Sequence, residues 1–145
     1  MAESVDYAAA VMDRGTGATS PGVLTIMLDI TETKERGIII LHPSGKLDTL
    51  TANSFEAHMT IHIENGTGDL LVDMEQVDYV SSFGLRSILI VAKKLAPLER
   101  KFVLFAPNPS VYEALRYSGF LNILTVTESK QAALAVVAPE ADGTV

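Results

Sequence analysis

Cysteine is absent from this sequence of 145 residues. Its absence excludes a disulfide framework and any zinc or iron–sulfur site built from thiolates, and it suits a reducing compartment. A chain of this length forms one ordinary domain and buries roughly two-thirds of the surface that the unfolded chain exposes. It therefore needs no disulfide bond or bound metal ion for stability.

Long basic runs and long apolar runs are also missing. No basic run is longer than the pair Lys93-Lys94, and the formal net charge is −7. Because nucleic-acid binders neutralise phosphates with clustered Lys and Arg, we expect no nucleic-acid partner. The apolar segments at residues 38–41 and 88–92 are far shorter than the ~20 residues that a helix needs to span a bilayer. With no signal-peptide pattern at the N-terminus, the sequence predicts a cytoplasmic protein without membrane insertion.

The composition changes near both ends of the chain. Residues 1–22 carry Gly15, Gly17 and a turn-like run at residues 19–22, with only scattered apolar side chains. We interpret them as a flexible N-terminal extension, and the small, polar residues 139–145 as a flexible tail. Residues 23–138 then form a single domain.

The domain begins with a pattern typical of a hairpin. Leu24, Ile26, Leu28 and Ile30 alternate with other residues, as in a half-buried strand, and residues 38–41 form the continuous apolar run of a strand covered on both faces. The polar turn at residues 34–37 joins them. The sequence therefore predicts an antiparallel first hairpin.

Helices and strands alternate after the hairpin. We predict strands at residues 70–72 and 102–105, with a loop over residues 75–82, and helices that repeat their apolar residues at helical spacing. The first helix has Phe55, Met59 and Ile63 at four-residue spacing, and Asp48 or Thr51 could cap its start. The second helix has a longer apolar repeat, formed by Leu85, Ile88, Leu89, Ala92 and Leu95. The third helix is predicted from Asn108-Pro109 to Gly119, and the last from Thr127-Glu128 to Val137. Helical connections between the later strands imply parallel pairing. The prediction is an α/β fold: a single small mixed sheet, antiparallel in the first hairpin and parallel afterwards, flanked by about four helices.

The binding site of such a fold typically lies at the carboxyl ends of the parallel strands. Residues 45–49 leave the second strand, and residues 78–85 follow the third. If these strands are neighbours, Asp48 and Ser82 lie on the same edge of the sheet.

Two serines, Ser81 and Ser82, lie just before the second helix. One interpretation is an N-cap, in which a serine oxygen accepts a hydrogen bond from an unpaired backbone N–H group. The other is a phosphorylation site. A phosphate adds up to about two negative charges beside the positive end of the helix dipole, so the helix would tolerate it and the effect would fall on a docking partner.

Three segments resemble one known family. Residues 77–86, with the sequence Val-Asp-Tyr-Val-Ser-Ser-Phe-Gly-Leu-Arg, resemble the signature of STAS-domain anti-sigma factor antagonists. The segment Gly45-Lys46-Leu47-Asp48 is similar to the family's Gly-x-Leu-Asp motif, and residues 111–120 resemble its closing helix. The likeness extends over about residues 24–137, in the family's order, and implies a STAS-like fold for residues 23–138.

The resemblance implies a binding module and not an enzyme. Such an antagonist binds a cytoplasmic anti-sigma factor serine kinase and thereby releases the sigma factor. The kinase phosphorylates the motif serine with ATP that the kinase itself binds, which expels the antagonist, and a serine/threonine phosphatase reverses the step. On this mapping Ser82 is the phosphoacceptor, and the partner-binding residues are Asp48, Thr49, Ser81, Ser82, Phe83 and Gly84. The resemblance implies no cofactor and no metal for the chain itself.

Phe83 departs from the family pattern, which commonly has Ala, Ser or Thr at this position. Its ring is either buried against Tyr79 or Leu85, or exposed as a binding anchor. The departure favours a second hypothesis, in which the chain is a non-phosphorylated STAS scaffold subunit of a sensory or lipid-transport complex.

Two enzyme hypotheses have weaker support. His58 and His62 are spaced four residues apart on the first helix, but the segment between them lacks the Glu of a zinc-hydrolase helix and no third ligand is evident. Ser82 lacks the Gly-x-Ser-x-Gly elbow of a serine hydrolase, because Val80 and Gly84 flank it. We expect solvated or half-packed histidines and no metal centre.

Overall fold

The computed structural model describes residues 28–137. The predicted N-terminal extension and tail, and the first half of the predicted first strand, lie outside the described residues. The strands are β1 Asp29–Glu35, β2 Ile38–Leu47, β3 Leu70–Asp73, β4 Val77–Val80, β5 Phe102–Phe105 and β6 Thr125–Thr127. The helices are α1 Ala52–Asn65, α2 Ser82–Leu95, α3 Pro109–Tyr117 and α4 Lys130–Val137, with short 3-10 turns at Ala96–Leu98 and Phe120–Asn122.

The strands form one mixed sheet. Its order is β1-β2-β3-β5-β6, and β4 pairs with β2 beside this path. β1 and β2 are antiparallel, whereas the β2–β3, β2–β4, β3–β5 and β5–β6 pairs are parallel. The predicted fold class is therefore confirmed: an antiparallel first hairpin, later parallel strands and four flanking helices.

Two short strands differ from the sequence prediction. The predicted loop over residues 75–82 contains β4, whose burial pattern is buried at both ends and exposed in the middle. The predicted start of the last helix at Thr127 is instead the end of β6, and α4 begins at Lys130 after Ser129, whose hydroxyl accepts a hydrogen bond from Ala132 N. Strands of three or four residues are too short to produce a readable alternation, which explains both errors.

A buried apolar core lies on each face of the sheet. On one face, residues such as Leu41, Val72 and Leu104 pack with apolar residues of α1, α2 and α3. On the other, Ile40, Leu71, Val103 and Phe105 pack with Ala133 and Leu134 of α4. Neighbouring residues of one strand point to opposite faces, so the continuous apolar runs seen in the sequence serve two cores.

Arg100 fixes the carboxyl end of α1. Its Nε donates to Gly68 O at 2.6 Å, and its Nη1 donates to Ile63 O at 2.7 Å. These bonds satisfy main-chain carbonyls that have no partner within the helix, and the positive charge suits the negative end of the helix dipole. The contact holds α1 at the amino end of β5, opposite to the edge described next.

Candidate functional site

The second half of β2 changes its partner from β3 to β4. Lys46 pairs with Tyr79 and Leu47 with Val80, and Leu47 O accepts a hydrogen bond from Ser81 N at 2.9 Å. The two segments singled out in the sequence therefore meet side by side. We call the surface formed by residues 45–51 and 77–84 the β2–β4 edge. Asp48 follows the last paired residue of β2 directly, and Ser82 lies two residues after the last paired residue of β4.

The two serines of this edge have different environments. Ser81 is the N-cap of α2, and its Oγ accepts a hydrogen bond from Gly84 N at 3.2 Å. Ser82 is the first residue of the helix and is exposed. Within residues 28–137, no hydrogen bond engages its hydroxyl. The capping interpretation therefore belongs to Ser81, and the hydroxyl of Ser82 is left accessible.

Gly84 is packed against the end of β2. A Cβ atom at this position would lie 2.3 Å from the main-chain oxygen of Leu47, a distance that real side chains do not reach. Gly84 O also accepts a hydrogen bond from the buried hydroxyl of Ser87 at 2.7 Å. The glycine is buried, so it shapes the β2–β4 edge by allowing α2 to approach β2 closely.

Asp48 is held in a compact turn between β2 and α1. Its Oδ1 accepts a hydrogen bond from Leu50 N at 3.0 Å, which is the local bonding typical of an Asx turn. The buried Thr51 completes the turn, because its Oγ1 accepts from Asp48 N at 2.9 Å and donates to Lys46 O at 2.7 Å. Thr51 occupies the N-cap position of α1, one of the two positions predicted, but its hydroxyl bonds backward into the turn and makes no capping hydrogen bond to the helix.

Three large apolar side chains are exposed on the β2–β4 edge. Phe83 is 53% exposed, which selects the exposed interpretation of its ring over the buried one. Tyr79 is 48% exposed and Leu50 65% exposed. Thr49 is exposed beside Leu50. Leu50 and Tyr79 were not predicted to belong to a binding surface. Their positions next to the two motifs and outside the helical repeats would have indicated it.

Comparison with known families identifies the chain. The family model of the STAS domain matches residues 29–133, which is most of the chain and includes the whole β2–β4 edge. The chain belongs to the STAS-domain family.

Several relatives and solved structures that resemble this STAS domain are described as anti-sigma factor antagonists. An anti-sigma factor antagonist named BtrV, from Bordetella bronchiseptica, is 34% identical over 108 residues, which cover 74% of this chain and 93% of the relative. Among solved structures, an anti-sigma factor antagonist from Thermotoga maritima has a TM-score of 0.71 at 20% identity, covering 74% of this chain and 93% of that one. Another, from Mycobacterium paratuberculosis, has a TM-score of 0.69 at 19% identity, covering 82% and 97%. The family is that of anti-sigma factor antagonists, which are binding modules.

The paired histidines of this STAS domain lie on α1. The ring centroids of His58 and His62 are 5.6 Å apart, and His62 Nε2 lies 3.3 Å from Glu32 Oε1 of β1. Burial lowers the pKa of His58, the neighbouring His62 lowers it further, and Glu32 opposes both effects. Across residues 28–137, no cluster of three or more His, Cys, Asp or Glu side chains is arranged to hold a metal ion.

None of the helices in the described part of the chain is long and apolar enough to cross a bilayer.

Proposed function

We propose that this STAS domain is a phosphorylation-controlled anti-sigma factor antagonist that acts in the cytoplasm. In this proposal the unphosphorylated β2–β4 edge binds and sequesters an anti-sigma factor serine kinase. The kinase transfers phosphate from its own bound ATP to Ser82 and is then released. A serine/threonine phosphatase regenerates the binding form.

The accessible hydroxyl of Ser82 is the observation that carries the proposal. Ser81 supplies the helix cap, so phosphorylation of Ser82 does not require the loss of a capping bond. A phosphate at the first residue of α2 would lie near unpaired backbone N–H groups and the positive end of the helix dipole. The fold should therefore accept the modification, while the added charge and bulk would oppose a partner docked on the same surface.

The exposed apolar side chains support a docking role for the same surface. Exposed aromatic residues are the typical anchors of protein interfaces, and Phe83 adjoins Ser82 directly. Asp48, fixed by its turn, adds a carboxylate to the edge. The combination suits a partner that offers an apolar pocket beside a positively charged group.

Precedent for the modification comes from one solved relative of the fold. The cell fate determinant SpoIIAA of Bacillus, an anti-sigma factor antagonist, has been solved in a phosphorylated form that superposes on this chain with a TM-score of 0.58 at 16% identity. The superposition covers 98% of the SpoIIAA chain. This similarity in fold supports the proposal that a phosphorylated residue can be accommodated without a change of fold.

The decisive experiment is phosphorylation of the purified chain by its candidate anti-sigma factor kinase with ATP. Intact-mass spectrometry should show one added phosphate, and peptide mapping should place it on Ser82. Ser82→Ala should abolish the modification and keep kinase binding, whereas Ser82→Asp should weaken binding. Absence of phosphate, or a phosphate that maps elsewhere, would refute the switch.

Ser81→Ala is the matched control for the neighbouring hydroxyl. It removes the N-cap and should destabilise the protein by about 1 kcal/mol, but it should leave phosphorylation of Ser82 intact. If Ser81→Ala abolished phosphate incorporation in the folded protein, the acceptor would be Ser81 and the assignment would be wrong.

A second candidate function is a non-phosphorylated STAS scaffold subunit in a sensory or lipid-transport complex. The observation that favours it is the exposed ring of Phe83, because a bulky side chain beside Ser82 can hinder access of a kinase active site. Stable co-purification with a complex that lacks a kinase, unchanged by phosphatase treatment and weakened by Phe83→Ala, would select this function over the switch.

A further inference from the structure

A second group of polar side chains lies away from the β2–β4 edge, on three adjacent strands. Thr33 belongs to β1, His42 to β2 and Asp73 to β3. Thr33 is paired in register with Ile40, which packs on the α4 face of the sheet, and His42 follows Ile40 by two residues. The alternation of side chains therefore places this group on the α4 face. α4 packs against β5 and β6 and also shares an apolar cluster with Ile40 of β2. Thr33 is nevertheless exposed and His42 and Asp73 are half-buried, so the group borders solvent beside α4.

The three side chains form a directed chain of hydrogen bonds. Thr33 Oγ1 lies 2.8 Å from His42 Nε2, and His42 Nδ1 lies 3.0 Å from Asp73 Oδ2. An ionised carboxylate only accepts hydrogen bonds, so Nδ1 carries the ring proton in the neutral imidazole. Nε2 is then the acceptor for the hydroxyl proton of Thr33. Asp73 is oriented in turn, because its Oδ1 accepts a hydrogen bond from Glu75 N at 3.0 Å.

This order of groups matches the arrangement that activates a hydroxyl nucleophile. A base within hydrogen-bond reach of the hydroxyl removes its proton, and a third group holds the base in the correct tautomer. Thr33 is exposed, so a reagent can approach its oxygen.

We propose that Thr33 is an acyl-acceptor site, at which the hydroxyl takes an acyl group from an activated donor such as a thioester. His42 acts as the general base and Asp73 as a positioning residue. The bond from Thr33 Oγ1 to the acyl carbon forms while the bond from that carbon to sulfur breaks. The hydroxyl proton passes to His42 Nε2 and then to the departing thiolate, which leaves as a thiol. The product is a threonine ester on the α4 face of the sheet.

The open setting of the site limits the reaction to a single modification. The acceptor hydroxyl of Thr33 is exposed beside the half-buried His42 and Asp73, so we expect stoichiometric acylation and not rapid turnover of esters. General-base assistance typically accelerates such a step by about 10²–10⁴-fold. Thr33 should therefore react about 10²-fold faster than Thr31, which lies two residues earlier on the same strand.

The test uses the full chain with p-nitrophenyl acetate, an activated ester that releases a coloured leaving group. Intact-mass spectrometry and peptide mapping should find one acetyl group on Thr33. Hydroxylamine treatment should remove it, because hydroxylamine cleaves the ester and spares acetyl amides formed on lysines. Thr33→Val should abolish the hydroxylamine-sensitive acetyl, whereas Thr31→Val should retain it.

His42→Gln separates an activated hydroxyl from a merely exposed one. The variant should acetylate Thr33 about 10²-fold more slowly than the parent chain, with unchanged far-ultraviolet circular dichroism. No ester at Thr33, or an ester that forms equally fast in His42→Gln, would overturn the proposal. If His42→Gln fails to fold, the acetylation rates of Thr33 and Thr31 in the parent chain decide the outcome. Both hydroxyls are exposed on β1, and Thr31 is the cross-strand neighbour of His42, but the hydrogen bond to His42 is made by Thr33. Equal rates at the two threonines would overturn the proposal.

The positioning role of Asp73 has its own readout. Nitrogen-15 NMR of the imidazole should show Nδ1 protonated and Nε2 unprotonated in the parent chain at a pH where the ring is neutral. Asp73→Asn should shift the ring toward the other tautomer and slow acetylation together. A slower reaction without a change of tautomer would contradict the assigned role.

Discussion

Gly84 lies against the main chain of β2, and a main-chain oxygen cannot move aside as a flexible side chain can. Gly84→Ala places a Cβ atom 2.3 Å from Leu47 O, so α2 must shift away from the strand. We expect a loss of about 1–3 kcal/mol in the free energy of unfolding, measured by urea denaturation. Gly68→Ala is the control, because a Cβ at Gly68 meets no atom within 4 Å. Equal stabilities of the two variants would contradict the close-packing argument.

His58 links the stability of the domain to pH. Burial, and then His62, lower the pKa of His58 below the ordinary value of 6.5 that applies in the unfolded chain. The unfolded chain therefore binds a proton more readily than the folded protein. The contribution of His58 to the free energy of unfolding should rise with pH from its folded pKa up to 6.5, and it should be constant above that window.

Urea denaturation at a series of pH values across this window measures the effect. His58→Gln should flatten the rise, because the variant has no titrating group at this position. His62→Gln should flatten it only in part, since burial is the larger cause of the lowered pKa and remains in place. Identical slopes in the parent and His58→Gln would argue against a titrating His58.

At the scale of elements, Asn108 joins α3 to β4. Its Oδ1 accepts a hydrogen bond from Val111 N at 2.7 Å and caps the helix, while its Nδ2 donates to Val77 O at 3.2 Å. Asn108→Asp keeps the acceptor and loses the donor, whereas Asn108→Ala loses both. We expect both to destabilise the protein, by about 1 kcal/mol or more for Ala. Faster amide hydrogen exchange at Val111 should appear in the Ala variant and not in the Asp variant.

Elements were predictable where the apolar pattern is long. The spacing of Phe55, Met59 and Ile63 gave α1, and all three side chains are buried. β4 was missed because Asp78 and Tyr79 are exposed at its centre, so its four residues have the pattern of a loop. The length of β2 was also missed. It continues through Pro43, a residue that usually interrupts strands. At Pro43 the pairing with β3 has ended and the pairing with β4 has not begun, so among the described strands β1 is the one that pairs with β2 there.

The candidate site was predicted in outline. Asp48 and Ser82 were expected on one edge on the condition that the second and third strands are neighbours, and β2 and β3 do pair. The direct pairing runs through β4, which the sequence did not reveal. Local pattern also left open which serine caps α2 and whether Phe83 is buried. Both depend on how closely α2 approaches β2, which is a tertiary contact.

At the scale of the whole molecule, the acidic chain should accept further negative charge at Ser82 without unfolding. The net charge is already −7, yet the first turn of α2 contains no acidic residue to repel a new one. Ser82→Asp should be more stable than the neutral, similarly sized Ser82→Asn by about 0.3–1 kcal/mol at low salt, measured by thermal denaturation. A less stable Asp variant would show that charge at this position strains the fold, contrary to a switch that acts on the partner.

The main-chain contact of Gly84 has an evolutionary consequence. An alanine at this position cannot be rescued by a smaller neighbouring side chain, because the obstructing atom is the oxygen of Leu47, which every residue carries. The adjacent ring of Phe83 is exposed and meets no such constraint. Substitutions at residue 83 can therefore alter partner preference at little cost to folding, so that new binding specificities can arise on an unchanged scaffold.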